Sequence, residues 1–353
     1  MLTIGVDSHK HSLTAVAVDP MGRQQATTQV PTTASGRERL LDWAEALQEG
    51  APLRWGIEGS GTYGRPLAQQ LARSGHSVLE VPGSATSRER KTALGVHRQK
   101  MDTSDALAIA RVTLREGDRL PRVFPDGVAQ QCKVLSEHRD NLVLQRTRLM
   151  NQLHAQVSFL DPAQMPPISA TRGRAVLKQW ASITPAATDP LEQIHLQVVR
   201  QLAGLILAYD EMIRQVGRTL TQLVTEATPL LVALRGSGAL TAARIFGEVG
   251  DVRRFASAAK FAAYCGAAPI QASSGERVRH RLSRRGNRQL NYSLHTIAVT
   301  QRRWDPRAQQ YLERKIAEGK SRKEALRCLK RHLANVVYRI LSESVPSTAS
   351  RAA

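Results

Sequence analysis

The stretch Leu2–Asp7 reads LTIGVD, an apolar run that ends on a carboxylate. After a short turn, Ser12–Asp19 reads SLTAVAVD and alternates as a second strand does, and Thr27–Pro31 extends the pattern to a third. Leu53–Glu58 is another apolar run that ends on a carboxylate, and His76–Val81 is a further strand-like segment before a proline. Short runs of this kind, bounded by turn residues, predict a sheet in the first part of the chain.

Helical periodicity falls between and after these strands. Ser35–Glu49 has it, with Ser35 as the expected N-cap. Tyr63–Ser74 has it and ends before a glycine, and Asp102–Arg115 follows the last strand. Strands interleaved with helices predict an α/β domain over residues 1–125.

Residues 126–228 are expected to form a helical connector, because strand patterns vanish there. We predict a long helix over Val128–Leu160, an irregular segment with at most a short helix over Pro162–Pro190, and a second long helix from Leu191. The second helix has apolar residues at steps of three and four, close to a heptad stripe. The stripe contains Leu191, Ile194, Val198, Leu202, Leu205, Tyr209, Met212, Val216, Leu220 and Leu223. It fits either an intramolecular helical hairpin or a coiled coil that also dimerises the protein.

Residues 229–345 are expected to form a third, mostly α-helical region, followed by a disordered tail at 346–353. Leu234–Ala243 reads LRGSGALTAA, in which Gly236 and Gly238 precede a helix of small residues. The pattern resembles a helix-hairpin-helix, which presents backbone N–H groups at a helix start to a phosphate. A helix–turn–helix connection without a ligand is the alternative.

The charge of the chain indicates a polyanionic partner. There are 50 Lys and Arg against 30 Asp and Glu, a net charge of +20, and residues 272–340 hold 18 of the basic residues against 5 acidic ones. Nucleic acid is therefore the expected partner and a membrane surface the weaker alternative. The sequence lacks a long apolar run, a signal peptide pattern, a zinc motif and a disulfide framework, so a reducing cytoplasm is expected.

Four carboxylates form a candidate metal site: Asp7 and Glu58 on predicted strands, and Asp102 and Asp105 on one face of a predicted helix. Oxygen ligands of this kind suit Mg²⁺, with Mn²⁺ as the other candidate, in two-metal phosphodiester chemistry. The alternative for Asp102 is a helix cap. His9 and His11 flank the Asp7 strand, where they could approach a metal or phosphate, although free surface histidines are the commoner case.

A second candidate site lies near the carboxyl end. Ser273, Ser274 and Gly275 form a small polar turn, and six arginines follow within twelve residues. These are Arg277, Arg279, Arg281, Arg284, Arg285 and Arg288. A hydroxyl among guanidinium groups can attack phosphorus while the guanidiniums stabilise the charged phosphate. The alternative is a loop that binds phosphate without reacting.

Together these motifs resemble those of a known family. Ile4–Lys10 (IGVDSHK), Glu58 and Lys100–Ala106 (KMDTSDA) resemble the RuvC-like Asp-Glu-Asp-Asp domain of insertion-sequence-110 family transposases, which are relatives of the Piv DNA invertase. Residues 235–250 and 261–269, the Ser-Ser-Gly turn and Ser283–Asn287 (SRRGN) resemble the family's C-terminal domain. The resemblance spans nearly the whole chain.

The resemblance implies an RNase H/RuvC-like fold and a DNA recombinase. It assigns the family's acidic tetrad to Asp7, Glu58, Asp102 and Asp105, and its nucleophile to Ser274, with Ser273 as the neighbouring alternative. It implies a structured bridge RNA as guide, donor and target double-stranded DNA as substrates, and a homo-oligomer, dimer or tetramer, in which the acidic site of one subunit meets the serine of another.

Three functions therefore compete. The first is a transposase that forms a 5′-phosphoserine intermediate. The covalent intermediate conserves the phosphodiester energy, so ATP is not needed, in agreement with the absence of a Gly-x-x-x-x-Gly-Lys-Ser/Thr motif from the sequence. The second is a Holliday-junction resolvase that uses the same metal site with water as nucleophile and leaves no covalent species. The third is a non-catalytic nucleic-acid-binding scaffold, in which the carboxylates would be dispensable.

Overall fold

A computed structural model of the chain describes residues 1–48, 53–92, 102–160, 173–183, 189–271, 280–281 and 286–344. The chain divides into two compact units. The first contains Met1–Asp126 together with Arg253–Ala256, and the second contains Gly127–Val252 and Ser257–Ala353. The predicted connector and the predicted C-terminal region thus share the second unit.

The first unit is built on a five-stranded mixed sheet with the strand order β3-β2-β1-β4-β5. Its strands are β1 Leu2–Ser8, β2 Ser12–Val18, β3 Gln24–Pro31, β4 Leu53–Glu58 and β5 Ser77–Val81. The first three strands are antiparallel, whereas β4 runs parallel to β1 and β5 runs parallel to β4. This arrangement confirms the predicted RNase H/RuvC-like fold class of the first domain.

Four helices accompany the sheet: α1 Ala34–Ala46, α2 Arg65–Arg73, α3 Gly83–Thr92 and α4 Asp102–Glu116, with a short 3-10 turn at Gly117–Arg119. The predicted cap of α1 was wrong by two residues. Thr33, and not Ser35, is the N-cap, and its side chain accepts a hydrogen bond from the Gly36 N–H. The helix α3 was not anticipated, because its sequence GSATSRERKT has no apolar periodicity.

Helix α4 lies directly against the sheet because two strand positions are glycine. A Cβ built on Gly5 of β1 would overlap backbone atoms of Ala106 and Ala110, and a Cβ on Gly56 of β4 would overlap the Thr113 side chain. The negative charge of Asp105 acts on Asp7, and His9 Nε2 lies 3.4 Å from Asp102 Oδ1. The first turn of α4 is therefore brought to the carboxyl edge of β1.

In its described residues, the second unit is helical apart from one strand pair. Its helices are α5 Val128–Val157, α6 Gly173–Ala181, α7 Pro190–Ala227, α8 Pro229–Ala233, α9 Gly238–Val249, α10 Ala258–Tyr264, α11 Arg288–Trp304, α12 Pro306–Ala317 and α13 Arg322–Glu343, with a 3-10 turn at Val252–Arg254. Two short strands, β6 Ile270–Gln271 and β7 His280–Arg281, pair antiparallel. The long helices and the short helix within the proline-rich segment agree with the predicted pattern.

Helices α5 and α7 form an antiparallel hairpin. Part of the predicted heptad stripe is buried, since Leu202 packs against the hairpin core and Leu220 is 1% exposed. Arg146 pairs with Asp210, while Gln156, later in α5, bonds to His195, earlier in α7. The residues that α7 buries in this core are Leu196, Val199, Ala203 and Ile206. From the stripe, Leu191, Ile194, Leu205 and Met212 are 60%, 58%, 49% and 39% exposed. The hairpin is therefore intramolecular, and much of the stripe lies on its outer face.

No helix in the described part of the chain is long and apolar enough to cross a membrane.

Gly5→Ala should destabilise the first unit by about 3 kcal/mol, because the added methyl group meets backbone that cannot rotate away. Gly61→Ala is the matched control, since a Cβ there has nothing within 4 Å. Its effect should stay within about 0.5 kcal/mol. Urea denaturation of both variants measures the difference, and equal stabilities would contradict the close contact between α4 and β1.

Candidate active site

The carboxylates of the first unit meet at one edge of its sheet. Val6 pairs with Ile57 across the parallel β1–β4 ladder, so Asp7 and Glu58 follow side by side at the carboxyl ends of their strands. Asp102 and Asp105 lie in the first turn of α4. The structure thus brings the four sequence-predicted acidic residues to one region, where the helix N-terminus favours negative charge.

Burial differs among the four. Asp7 and Asp105 are 6% and 7% exposed, whereas Glu58 and Asp102 are half-buried. Burial raises the pKa of Asp7 above its ordinary value, the negative charges of Asp105 and Glu58 raise it further, and His9 opposes the shift. The carboxylates therefore act on one another electrostatically, as ligands of a shared cation site do.

Two basic side chains contact the buried carboxylates. The His9 Nε2 lies 3.0 Å from Asp7 Oδ2 and 3.4 Å from Asp102 Oδ1. Arg90 of α3 donates from Nη1 to Asp105 Oδ1 at 2.5 Å. Sequence reasoning gave His9 little weight and missed Arg90. The position of His9, two residues after Asp7, was the signal that could have identified it. Arg90 could not be found in this way, because no sequence signal placed α3 beside α4.

The donor set fits a divalent cation. Ligand atoms of Asp7, His9 and Asp102 lie within 4.8 Å of one another. Glycines leave room around the neighbouring groups, since a Cβ on Gly83 would come 2.8 Å from Glu58 Oε1 and one on Gly64 would come 2.6 Å from Ser8 Oγ. That hydroxyl is buried and has no hydrogen-bond partner among the described residues. Carboxylate oxygens are the ligands that Mg²⁺ and Mn²⁺ prefer.

The second candidate site lies mostly outside the described residues. Ser273, Ser274 and Gly275 are outside them, as are Arg277, Arg279, Arg284 and Arg285. In sequence they fall between or just after β6 and β7, whose register pairs Ile270 with Arg281 and Gln271 with His280. Residues 272–279, which contain the candidate serine, therefore connect two paired strands in sequence.

A polar network fixes the chain where it leaves this segment. Gly286 has φ +108°, and a Cβ there would come 2.7 Å from Tyr264 O. Asn287 caps α11 by accepting from Leu290 N, and its Nδ2 donates to Glu248 Oε2 at 2.5 Å. Sequence reasoning identified this glycine and asparagine only within the family resemblance.

The network continues through Asn291, which sequence reasoning missed, and through Lys330, which it counted among the phosphate-binding cations of the C-terminal segment but which is 8% exposed. Asn291 Nδ2 donates to Cys265 O and Gly266 O, and Lys330 Nζ donates to Asn291 Oδ1 at 2.7 Å. Burial lowers the pKa of Lys330. The only sequence signal for Asn291 was its spacing of four residues from Asn287, which places both asparagines on one face at the start of α11.

The two glycines of the helix-hairpin-helix-like element have different surroundings. Helices α8 and α9 are joined by a tight turn in which Gly236 and Gly238 have φ of +86° and +60°. A Cβ on Gly236 would come 3.0 Å from the Thr300 side chain of α11, whereas Gly238 has nothing within 4 Å. Gly236 thus serves packing, and only Gly238 leaves space for a phosphate.

Exposed cations cover α11 to α13. Arg288 begins α11, and Arg302 and Arg303 stand at its end beside Trp304, which is 68% exposed. The other exposed cations of these helices are Arg307, Arg314, Arg322, Lys323 and Arg339. Cations with an exposed aromatic ring form a surface suited to phosphates and unstacked bases.

Comparison with known proteins identifies the family of the chain. A family model for the DEDD transposase domain of IS110 elements, described as "Transposase", matches residues 4–162. A second, described as "Transposase IS116/IS110/IS902 family", matches residues 228–313. The two matches together cover more than half of the chain.

Relatives and a solved structure were found as well. The insertion element IS116 uncharacterized 44.8 kDa protein of Streptomyces clavuligerus is 25% identical over 96% of this chain and 94% of its own length. The pilin gene-inverting protein of Moraxella bovis is 24% identical over 97% and 96%. The structure of T. thermophilus RuvC in complex with Holliday junction substrate covers 35% of this chain and 99% of that one, at 14% identity and a TM-score of 0.28.

The mixed sheet with its edge of carboxylates and the two matched domains define a DNA transposase or recombinase. The chain belongs to the IS110 family of transposases, as both family models and the full-length relatives agree.

Asp7→Asn should stabilise the fold at neutral pH in the presence of a chelator. Because the pKa of Asp7 is raised, the folded protein binds this proton more tightly than the unfolded chain. Stability is then lost as the pH rises from the unfolded-state pKa through the folded-state pKa, and the amide removes that loss. We expect a higher Tm than wild type at neutral pH and no difference below the ordinary pKa of aspartate.

Asp42→Asn is the control for this experiment, because Asp42 is exposed on α1. Its Tm should follow that of the wild type at every pH. A Tm of Asp7→Asn below that of the wild type at neutral pH would contradict the inferred charge burial.

Proposed function

We propose that this transposase cuts and joins DNA by attack of Ser274 on a phosphodiester, while Asp7, Glu58, Asp102 and Asp105 hold Mg²⁺ or Mn²⁺ at the same bond. The observation that carries the proposal is the convergence of these carboxylates on one sheet edge, with two of them buried. The β6–β7 pair adds support, because it brings together the residues just before and just after the segment that contains Ser274.

The residues of the acidic site have the task of orienting the reacting phosphate. A divalent cation bound there supplies charge stabilisation to the phosphoryl oxygens. Asp7 and Glu58 lie on rigid strands and Asp102 and Asp105 on a helix in backbone contact with them. A site built on regular elements keeps its geometry when a large substrate binds.

The serine supplies the covalent step. Its Oγ forms a bond to phosphorus, the bond from phosphorus to the 3′-oxygen breaks, and the 3′-oxygen leaves as a hydroxyl with the serine proton. The DNA then remains on the protein as a 5′-phosphoserine ester. Attack by the 3′-hydroxyl of the exchanged strand reverses these bonds and releases Ser274, so the phosphodiester bond energy is kept.

The two buried cysteines, Cys132 and Cys265, are poor alternative nucleophiles. Burial raises the pKa of Cys132 to about 11 and of Cys265 to about 12, so both remain protonated thiols. The thiolate is the nucleophilic form of cysteine. The hydrolytic alternative, a junction resolvase with water as nucleophile, gives no role to the Ser-Ser-Gly turn or to the anchored strand pair.

The proposed nucleic-acid partners are donor and target double-stranded DNA and a structured bridge RNA. The exposed cations of α11 to α13, Gly238 at the start of α9, and the arginines at 277, 279, 281, 284, 285 and 288 are the proposed phosphate contacts. Gly236 is the weaker candidate, since its neighbour is α11. Base pairing with a guide RNA would set the target without base-reading side chains.

The proposed assembly is a homo-oligomer. The exposed stripe residues Leu191, Ile194, Leu205 and Met212 span more than five turns of α7. Apolar residues at heptad spacing on the free face of a helix fit a second helix with the same pattern. We propose that a second copy of the chain covers this stripe.

Ser274→Ala should abolish the covalent protein–DNA adduct, because the attacking hydroxyl is gone. The measurement is a denaturing gel of radiolabelled donor DNA with the protein and its co-purifying RNA. Ser273→Ala is the matched control and should retain the adduct. Loss in Ser273→Ala alone would assign the nucleophile to that residue, whereas an adduct in the double variant would contradict the serine mechanism. Treatment with ribonuclease should prevent the adduct if RNA guides the reaction.

The double variant Ile194→Lys, Leu205→Lys should reduce the oligomer, because it places two charges in the proposed apolar contact. Light scattering after size exclusion should show a smaller mass than that of the wild type. The control is Gln197→Lys, Gln215→Lys, which adds the same charge at exposed positions of the same helix that lie to one side of the stripe. Equal masses for both double variants would contradict a contact through the stripe.

A further inference from the structure

The turn between β1 and β2 carries a histidine inside the acidic site. The His9 N–H donates to Ser12 O at 2.9 Å, and Thr32 Oγ1 donates to His9 O at 3.2 Å. Both backbone groups are thus fixed, so the imidazole enters the site from a rigid turn.

We propose that His9 is a ligand of the divalent cation held with Asp7 and Asp102, and that its nitrogen makes this position favour Mn²⁺ over Mg²⁺. The inference rests on the proposed function and goes beyond the four carboxylates. It assigns a nitrogen donor to the site and thereby a preference among metals.

The distances fit one ion among the three side chains. The ring nitrogen lies 3.0 Å and 3.4 Å from the two carboxylate oxygens, and all three donor atoms lie within 4.8 Å of one another. Ligands at bond lengths near 2.1 Å are separated by up to about 4 Å. Small rotations of the half-exposed Asp102 side chain are enough to bring the three donor atoms within that separation.

Asp105 is engaged differently. Its Oδ1 accepts from Arg90 at 2.5 Å, and the pair is mostly buried on the carboxylate side. The position made by Asp7, His9 and Asp102 therefore has three donors without an arginine in contact, among the pairs that the structure describes. We place the first cation there.

The chemistry of the donor set gives the preference. Mg²⁺ takes oxygen ligands and keeps several waters, whereas imidazole nitrogen suits later divalent metals better. A site with two carboxylates and one imidazole is therefore expected to bind Mn²⁺ more tightly than Mg²⁺.

Electron paramagnetic resonance of the full-length protein with Mn²⁺ tests the assignment directly. Spin-echo modulation at one equivalent of Mn²⁺ should show coupling to ¹⁴N, and protein with ¹⁵N-labelled histidine should show the ¹⁵N coupling instead. His9→Asn should lose the coupling, and its Kd for Mn²⁺ should rise about tenfold or more. The Kd for Mg²⁺, measured by competition with Mn²⁺, should change by less than about threefold.

His11→Asn is the matched control, because His11 is exposed two residues further along the same turn. It should keep the coupling and both affinities. Absence of histidine coupling in wild-type protein that binds Mn²⁺ would overturn the inference and leave the carboxylate site intact. Absence of any specific Mn²⁺ binding would overturn the proposed metal role as well. The isotope result requires no substitution, so a folding defect in His9→Asn leaves the test decisive.

Discussion

The backbone contact between α4 and β1 is the constraint on which the site depends. It exists because Gly5 has no side chain where the backbone of Ala106 and Ala110 passes. The contact places the first turn of α4 beside the end of β1, so Asp102 and Asp105 join Asp7. Bringing these charges together removes them from water, as the raised pKa of Asp7 records. His9 and Arg90 offset part of that unfavourable interaction.

The first domain was largely predictable because its signals are local. Leu53–Glu58 was predicted with the bounds that the structure gives, and α4 differs by one residue at its end. Runs of apolar residues and the first residues of a helix are set by neighbours in sequence, so they can be found without tertiary knowledge. The residues of the acidic site were found for the same reason.

The missed features depend on tertiary contacts. Helix α3 has little apolar character, so neither it nor the Arg90–Asp105 pair could be found from periodicity. Helix α7 has apolar residues on more than one face, and the sequence could not show which of them pack in the hairpin core. Leu196, Val199 and Ile206 do so, whereas four residues of the heptad stripe stay exposed. Asn291 and Lys330 are 39 residues apart and meet only in the folded chain.

The central claim is that the carboxylates of the first unit and the serine of the second act on one phosphodiester bond. Hydroxyl-radical cleavage directed by Fe²⁺ in place of Mg²⁺ tests it most directly, in a complex of Ser274→Ala with RNA and DNA. The account predicts DNA cuts within a nucleotide or two of the phosphate that the wild-type protein links to its serine. Cuts confined to distant nucleotides, in a complex that binds Fe²⁺ at the acidic residues, would contradict it.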